Sequence, residues 1–339
     1  QIQGIRTYYE FAEVDVDRYE LSRGYTETML SLRELDQSKL PAQAQTWINQ
    51  RLQYTHGYGL CMSPVNERTE KGLPVLLVKN IPPVGPPDLP IEQPAIYYGE
   101  KTTGYVFVNT DEREFDYPMG DRNVVVRYSG KGGVRIGSAF RRLVFAMRLR
   151  DMKILLSDDL NPDSRIMYHR LISERISMVA PYLRLDSDPY AVLHAGRIFW
   201  IQDAYTVTDL FPYSDPSRFG GFNYIRNSVK VVLDAYDGTM AFYVADADDP
   251  LIRAYARTFP GVYRPLEEMP AGLRKHLRYP EDLFNVQVDK FSTYHMEDPR
   301  VFYNKEDVWE IPTERYADQD RHCLLYTSDA ADELDGVDL

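Results

Sequence analysis

The sequence predicts an α+β fold in which antiparallel β hairpins pack against several helices. The clearest hairpin signal is the dipeptide Asp237-Gly238, which separates two alternating segments at 228–236 and 239–245. Strands joined by so tight a turn must run antiparallel, which excludes a doubly wound parallel sheet. Helical segments contribute the other part of the fold, because apolar residues recur at helical spacing over 136–147.

The remaining elements follow from local signals along the chain. The predicted elements are a helix at 41–54, short strands at 95–98, 105–109 and 123–128, a helix through 136–147, a helix from Asn161-Pro162 to Val179, a hairpin at 190–207 turning at Gly196, and a short helix from Asp249-Pro250 to Phe259. Residues 81–94 contain six prolines and are predicted to be an extended, unpaired connector. We therefore divide the chain into an N-terminal helix and loop part at 1–80, the connector, and a main α+β part at 95–320.

Composition limits the class of protein and its partners. The chain has 339 residues and a net charge of −12, so a general nucleic-acid binder is not expected. Apolar runs reach four or five residues, whereas a membrane-spanning helix needs roughly 20, so we expect a water-soluble fragment. Its start at Gln1 carries no targeting signal, which we expect further upstream. Residues 323–339 resemble a translated sequencing adapter, and leaving this segment out as an artefact changes the net charge to −7.

Long distinctive strings support a family resemblance. They are WINQRLQYTHGYG (47–59), SPVNERTEKGLPVLLVKNIPP (63–83), YSGKGGV (128–134), DPYAVLHAGRIFWIQDAYT (188–206), FNYIRNSVKVVLDAYDGTMAFYV (222–244) and FYNKEDVWEIP (302–312). In this order they resemble the bacterial Uncharacterised Protein Family 0182, over about 5–320. The resemblance implies a plasma-membrane protein with several N-terminal transmembrane helices and a large extracytoplasmic domain. This chain would be the first half of that domain, with the transmembrane region and the C-terminal remainder as its partners.

His56 is the first candidate for catalysis. It lies in a glycine-bounded turn between Tyr54 and Tyr58, where it could act as a general base with a carboxylate such as Asp203 or Asp234. The two tyrosines would then line a binding surface. The alternative is a buried histidine whose nitrogens satisfy backbone groups.

Cys61 follows His56 by five residues in the sequence. Sequence proximity does not establish the hydrogen bond that a nucleophilic thiol needs. The family pattern has a small apolar residue at this position, so the resemblance implies a substitution and not a catalytic thiol.

A basic segment is the second candidate. The loop 129–133 lies between a strand and a helix, where backbone amides can bind phosphate, although it matches neither nucleotide-binding fingerprint. Lys131, Arg135, Arg141 and Arg142 could bind an anionic lipid headgroup or an envelope polymer. The alternative is a solvated basic helix face, since the apolar residues 136, 140, 143, 144 and 147 share the other face.

Polar residues at the ends of the predicted sheet form a third group. Its members are Arg197, Asp203, Tyr205, Asn223, Arg226 and Asn227. They either converge on a small pocket or form a structural hydrogen-bond network.

Acidic clusters could bind calcium through carboxylate oxygens. They are Asp15/Asp17, Asp186/Asp188 and Asp246/Asp248/Asp249. None has the spacing of an EF-hand loop, and helix caps or turns explain the acids that precede proline. His169, His194, His276, His295 and His322 show no metal-ligand spacing.

Three functions remain open, and no cofactor other than calcium is suggested. The leading hypothesis is a non-catalytic binding or assembly module that works with its own transmembrane region. The second is a hydrolase acting on envelope material through His56 and a carboxylate. The third is a calcium-stabilised structural domain.

Overall fold

The computed structural model describes residues 9–119, 122–310, 313–316 and 319–322. The α+β class is confirmed, since helices accompany sheets that are mainly antiparallel. The strands are β1 Tyr9–Phe11, β2 Asp15–Leu21, β3 Gly24–Leu35, β4 Gly57–Tyr58, β5 Leu60–Pro64, β6 Ile91–Gln93, β7 Ala95–Ile96, β8 Val106–Val108, β9 Glu114–Met119, β10 Arg122–Val126, β11 Val134–Arg135, β12 Arg165–Met167, β13 Arg184–Leu185, β14 Tyr190–His194, β15 Gly196–Thr208, β16 Tyr224–Asp234, β17 Met240–Val244, β18 Tyr263–Pro265, β19 Thr313–Tyr316 and β20 Gln319–His322. The α-helices are α1 Ala139–Leu149, α2 Lys153–Leu156, α3 Ile172–Val179, α4 Pro250–Thr258, α5 Ala271–Arg274, α6 Glu281–Tyr294 and α7 Pro299–Asn304.

The central sheet is organised around β15, in the order β13-β15-β16-β17-β18, with β14 and β6 also paired to β15. Both predicted hairpins are confirmed, β14–β15 and β16–β17, and both are antiparallel. Alternate residues of β16 face opposite sides: Val231 packs in the main core, whereas Val232 packs in a second cluster. The sheet is therefore covered on both faces.

The main core lies between the central sheet and an N-terminal sheet of β1, β2, β3 and β5. Leu30 and Leu60 from the N-terminal sheet pack in the same cluster as Trp200 from β15. Trp200 is fully buried, and its indole nitrogen donates a hydrogen bond to the Tyr98 carbonyl at 3.0 Å. The core thus joins both sheets and the segment after the proline-rich stretch.

The N-terminal sheet differs from the helix and loop expected for 1–80. The buried positions of β2 are Asp15, Asp17, Tyr19 and Leu21. Two of the four are acidic, so the alternation of burial is not an alternation of hydrophobicity, and the usual strand signal is absent.

The helix predicted at 41–54 is wrong as a continuous element. The structure has a 3₁₀ turn at Ala42–Ala44 and a π-helical turn at Asn49–Gln53. Gln37 donates a side-chain hydrogen bond to the Tyr54 carbonyl at 2.8 Å, and Arg51 donates to the Tyr105 carbonyl at 2.9 Å. These tertiary contacts override the local helical preference.

Two other predictions also differ from the structure. The connector 81–94 ends in β6, which pairs in parallel with the start of β15 and is therefore not wholly unpaired. The second helix does not begin at Asn161-Pro162. Residues 161–164 form a turn, β12 follows as the middle strand between β11 and β8, and α3 begins at Ile172.

A buried guanidinium links distant loops. Arg170 is 2% exposed, and its Nε donates to the Tyr97 carbonyl at 2.7 Å while Nη2 donates to the Thr55 carbonyl at 2.5 Å. A buried carbonyl left without its donor costs roughly 1–3 kcal/mol. Arg170 therefore holds the His56 turn against the segment before Gly99.

Replacing Arg170 should destabilise the fold markedly. We expect Arg170→Met to lower the free energy of unfolding by about 3 kcal/mol or more, because two buried carbonyls lose their donors. Arg257→Met, at an exposed position of α4, should change it by less than about 0.5 kcal/mol. Urea unfolding of both variants measures the difference, and similar stabilities would contradict this role for Arg170.

Candidate functional site

His56 is buried and held by the backbone. It is 1% exposed, its Nδ1 lies 3.0 Å from the Gly57 carbonyl, and burial lowers its pKa to about 4. Its Nε2 lies 3.9 Å from an Asp116 carboxylate oxygen, beyond hydrogen-bond reach. Among the described residues, His56 makes no hydrogen bond or ion pair with Asp203 or Asp234. The structural alternative therefore holds for Nδ1, whereas Nε2 is buried without a hydrogen-bond partner among the described residues.

The residues around the His56 turn pack with other side chains. The ring centroids of Tyr54 and Phe115 lie 5.1 Å apart, and those of Tyr58 and Tyr117 lie 5.0 Å apart. Cys61 is half-buried, and its sulfur accepts a hydrogen bond from Arg33 at 3.0 Å. These aromatic residues form a small core with Tyr9 and Leu35 of the N-terminal sheet.

The predicted phosphate loop already binds an acidic side chain of the protein. Asp237 accepts from the backbone amides of Lys131 and Gly132 at 2.9 and 3.3 Å. The other oxygen of Asp237 accepts from Arg197, which also donates to Asp234 at 2.7 Å. The loop therefore anchors the β16–β17 turn through a carboxylate.

The polar residues of the central sheet also pair with one another. Asp203 is buried, with an ion pair to Lys230 and a hydrogen bond from Asn227 at 2.9 Å. Tyr205 is buried and donates its hydroxyl hydrogen to Asp186. A structural network thus occupies this end of the sheet.

The remaining members of the predicted polar group, Asn223 and Arg226, also have partners within the protein. Asn223 donates to the Phe211 carbonyl at 2.9 Å and accepts from its amide at 3.0 Å. Arg226 pairs with Asp246 at 2.8 Å. Both side chains therefore shape surface loops.

The acidic clusters that were candidates for calcium either bond to backbone amides or pair with an arginine. Asp246 accepts from the Asp248 amide at 3.1 Å, and Asp249 caps α4. Asp188 pairs with Arg278, whose guanidinium also lies 3.9 Å from Asp15. Within 9–119 and 122–310 no group of three His, Cys, Asp or Glu is arranged to hold a metal ion.

Two buried carboxyls, those of Asp15 and Glu100, have pKa values far above their ordinary range. Burial raises the pKa of Asp15 to about 8. Burial, together with the nearby charges of Asp15 and Glu34, raises the pKa of Glu100 to about 9. One Glu100 oxygen is buried without a hydrogen-bond partner among the described residues. Both carboxyls therefore retain a proton near neutral pH.

A cleft of about 440 Å³ contains an acid–histidine pair that the sequence reasoning missed. His276 lines the cleft, and its Nδ1 lies 2.8 Å from a buried Asp17 oxygen. Neither atom makes a hydrogen bond within the described residues, so the pair is a close charge contact and lacks the hydrogen bond that would orient a general base. The lining residues include no serine, threonine or cysteine, so they offer no hydroxyl or thiol nucleophile of the common hydrolases. The two residues lie 259 positions apart, and no local signal connects them.

Helix α1 presents its apolar side to solvent. Ser138 caps the helix by accepting from the Arg141 amide at 3.3 Å. The apolar face of α1 consists of Phe140, Leu143, Val144 and Met147, which are 74%, 39%, 41% and 62% exposed. At about 100° per residue these four project in similar directions. The opposite side, with buried Ala146 and half-buried Phe145 and Leu149, packs on the core. The sequence predicts this apolar stripe, but the structure places it on the surface.

Basic side chains surround this apolar face. Residues 131–150 contain six basic residues and no acidic residue, in a chain with net charge −12. Arg142 turns inward and donates to the Ser157 carbonyl at 3.3 Å. The other five are exposed and form no ion pair with a described acidic side chain; we call them the basic rim: Lys131, Arg135, Arg141, Arg148 and Arg150. An apolar stripe beside unpaired cations is typical of a helix that lies at an anionic membrane surface.

Comparison with known proteins identifies the family of the chain. The model of the uncharacterised protein family UPF0182 matches residues 1–331. The chain belongs to the UPF0182 family. A UPF0182 protein of Pelotomaculum thermopropionicum is 53% identical over 321 residues, which cover 95% of this chain and 35% of the relative. Those of Sulfurovum and Synechococcus are 51% and 52% identical, over 96% and 93% of this chain and 36% and 38% of the relatives.

This UPF0182 chain spans about a third of the length of the curated relatives it matches. No solved structure matches it. The helices that the structure describes are all too short or too polar to cross a bilayer. The suspected adapter segment 323–339 lies outside the described residues.

The raised pKa values of Asp15 and Glu100 predict that the fold weakens as pH rises. From their unfolded pKa values up to about pH 8 for Asp15 and about pH 9 for Glu100, the folded state keeps protons that these carboxyls lose on unfolding. Stability therefore falls as pH rises and levels off above each folded pKa. The lowered pKa of His56 makes stability rise with pH, but only below the unfolded pKa of about 6.5. We expect a decrease of at most about 1.4 kcal/mol per pH unit for each carboxyl.

Urea unfolding at pH 7, 8 and 9 measures this slope. The double variant Asp15→Asn/Glu100→Gln should flatten it, whereas Asp163→Asn, at an exposed turn, should leave it unchanged. An equal slope in the wild type and the double variant would show that these carboxyls are not protonated in the folded state.

Proposed function

We propose that this chain is a non-catalytic binding and assembly module of a UPF0182 membrane protein. It rests on the extracytoplasmic surface of the bacterial plasma membrane and works beside its own transmembrane region. The apolar face of α1 within its basic rim is the observation that carries this proposal. The C-terminal remainder of the relatives' length would pack elsewhere on the module.

The energetics of this surface favour a bilayer. Moving a large apolar side chain from water into an apolar medium yields about 1.5–3 kcal/mol when burial is complete. Each arginine or lysine near an anionic leaflet adds about 1 kcal/mol. The apolar face and the basic rim together thus provide the two contributions that interfacial binding requires. A partner protein segment would gain from the apolar face but would need its own acids to match the rim.

The hydrolase and calcium hypotheses receive less support. His56 is buried away from both cavities described near the surface. The cleft at His276 is lined by no serine, threonine or cysteine. The carboxylates of Asp186, Asp188, Asp246 and Asp249 are engaged by arginines, amides and hydroxyls.

Vesicle binding tests the proposal directly. The chain should co-sediment with vesicles containing anionic phosphatidylglycerol, and bind vesicles of zwitterionic phosphatidylcholine far less. Binding should weaken as salt screens the basic rim. Phe140→Glu/Met147→Glu should lower the partition coefficient at least about tenfold, because two carboxylates would enter the apolar interface.

Leu210→Glu is the matched control, since Leu210 is 83% exposed in the loop between β15 and β16. It should bind vesicles as the wild type does, and circular dichroism should show that all variants are folded. Equal binding of the wild type and the double variant would overturn the proposal, as would a wild type that does not bind anionic vesicles.

A further inference from the structure

The cavity between α1 and α3 lies beside the apolar face and has a volume of about 390 Å³. This size falls within the range of about 300–1,000 Å³ that small-molecule sites occupy. Its lining residues are Tyr98, Gly133, Val134, Arg148, Tyr168, His169, Arg175, Met178, Val179 and Met240. They include two guanidiniums and a histidine but no carboxylate, although Glu174 bonds His169 from outside the lining at 2.5 Å.

The inner part of the cavity holds a positioned guanidinium. Arg175 lies over the Tyr98 ring, 4.6 Å from its centroid, and its Nε donates to the Gly238 carbonyl at 2.8 Å. Its Nη1 donates to the carbonyls of Tyr168 and His169 at 3.3 and 3.4 Å. Nη2 makes no hydrogen bond to a described residue, so one edge of this fixed group remains available to an anion.

The mouth of the cavity combines apolar and cationic side chains. Val134, Met178 and Val179 are exposed there. Arg148 also lines the cavity and is exposed, and its side chain has no hydrogen bond or ion pair within the described ranges. On α1 it lies about 40° from Val144 around the helix axis, which places the mouth next to the apolar face.

The geometry points to a site for the phosphate headgroup of an anionic glycerophospholipid. The phosphate is bound between Arg148 and Arg175, and the acyl chains leave over Met178 and Val179 into the bilayer. Free phosphate shares the anionic chemistry but cannot use the apolar mouth. This inference rests on the proposed membrane role and adds a specific ligand to it.

Calorimetric titration with dihexanoyl phosphatidylglycerol, below its micelle concentration, tests the site without a membrane. The chain should bind this lipid saturably, and inorganic phosphate at least about tenfold more weakly. Arg148→Gln should weaken lipid binding about tenfold, because one of two charge-assisted contacts is lost. Arg141→Gln removes the same charge from the same helix outside the cavity and should have no effect.

The variant Phe140→Gln/Met147→Gln separates this inference from the proposed function, because it removes apolar area from α1 without adding a negative charge beside the mouth of the cavity. It should lose vesicle binding but retain the soluble lipid. Vesicle binding without saturable lipid binding would overturn the headgroup site alone. Equal losses in Arg148→Gln and Arg141→Gln would overturn it too, as would equal affinities for lipid and inorganic phosphate.

Discussion

The two-sided pairing and burial of β15 is the constraint on which the rest of the structure depends. This 13-residue strand pairs with β16 along nine register positions and with β14, β13 and β6 elsewhere. A strand covered on both faces requires a layer on each side, and the N-terminal sheet supplies one of them. The segments between these layers must then satisfy their polar groups inside the protein, which Arg170 and Glu114 do for the loops at 55 and 97.

Because these polar groups find their hydrogen-bond partners inside the protein, several residues whose types suggest catalysis or binding have structural roles instead. Asp203, Asp237 and Arg197 have strong partners in neighbouring strands and turns. Ionisable groups at such positions cost free energy unless they are paired. The apolar face of α1 shows the reverse: side chains that would contribute to a core are left without one. Unpaired basic groups lie beside that face.

The sequence contained enough information to predict the hairpins but not the N-terminal sheet or the position of α1's apolar face. Asp237-Gly238 between alternating segments is a local signal, and the β16–β17 hairpin follows it closely. In β2, Asp15 and Asp17 occupy buried positions because partners arrive from residues 191 and 276, which sequence periodicity cannot reveal. The stripe from Phe140 to Met147 was predictable as an apolar face. Its exposure was not, because periodicity identifies a face without showing what covers it.

The depth of α1 in a bilayer is the most direct measure of the membrane role. A nitroxide attached at Val144→Cys, in a Cys61→Ser/Cys323→Ser background, reports whether this face meets lipid or water. With phosphatidylglycerol vesicles, collisions with oxygen should rise and collisions with a water-soluble nickel complex should fall. A label at Arg257→Cys, exposed on α4, should remain accessible to the nickel complex. If the label at 144 remains as accessible to nickel with vesicles as without them, α1 does not enter the bilayer and the account is contradicted.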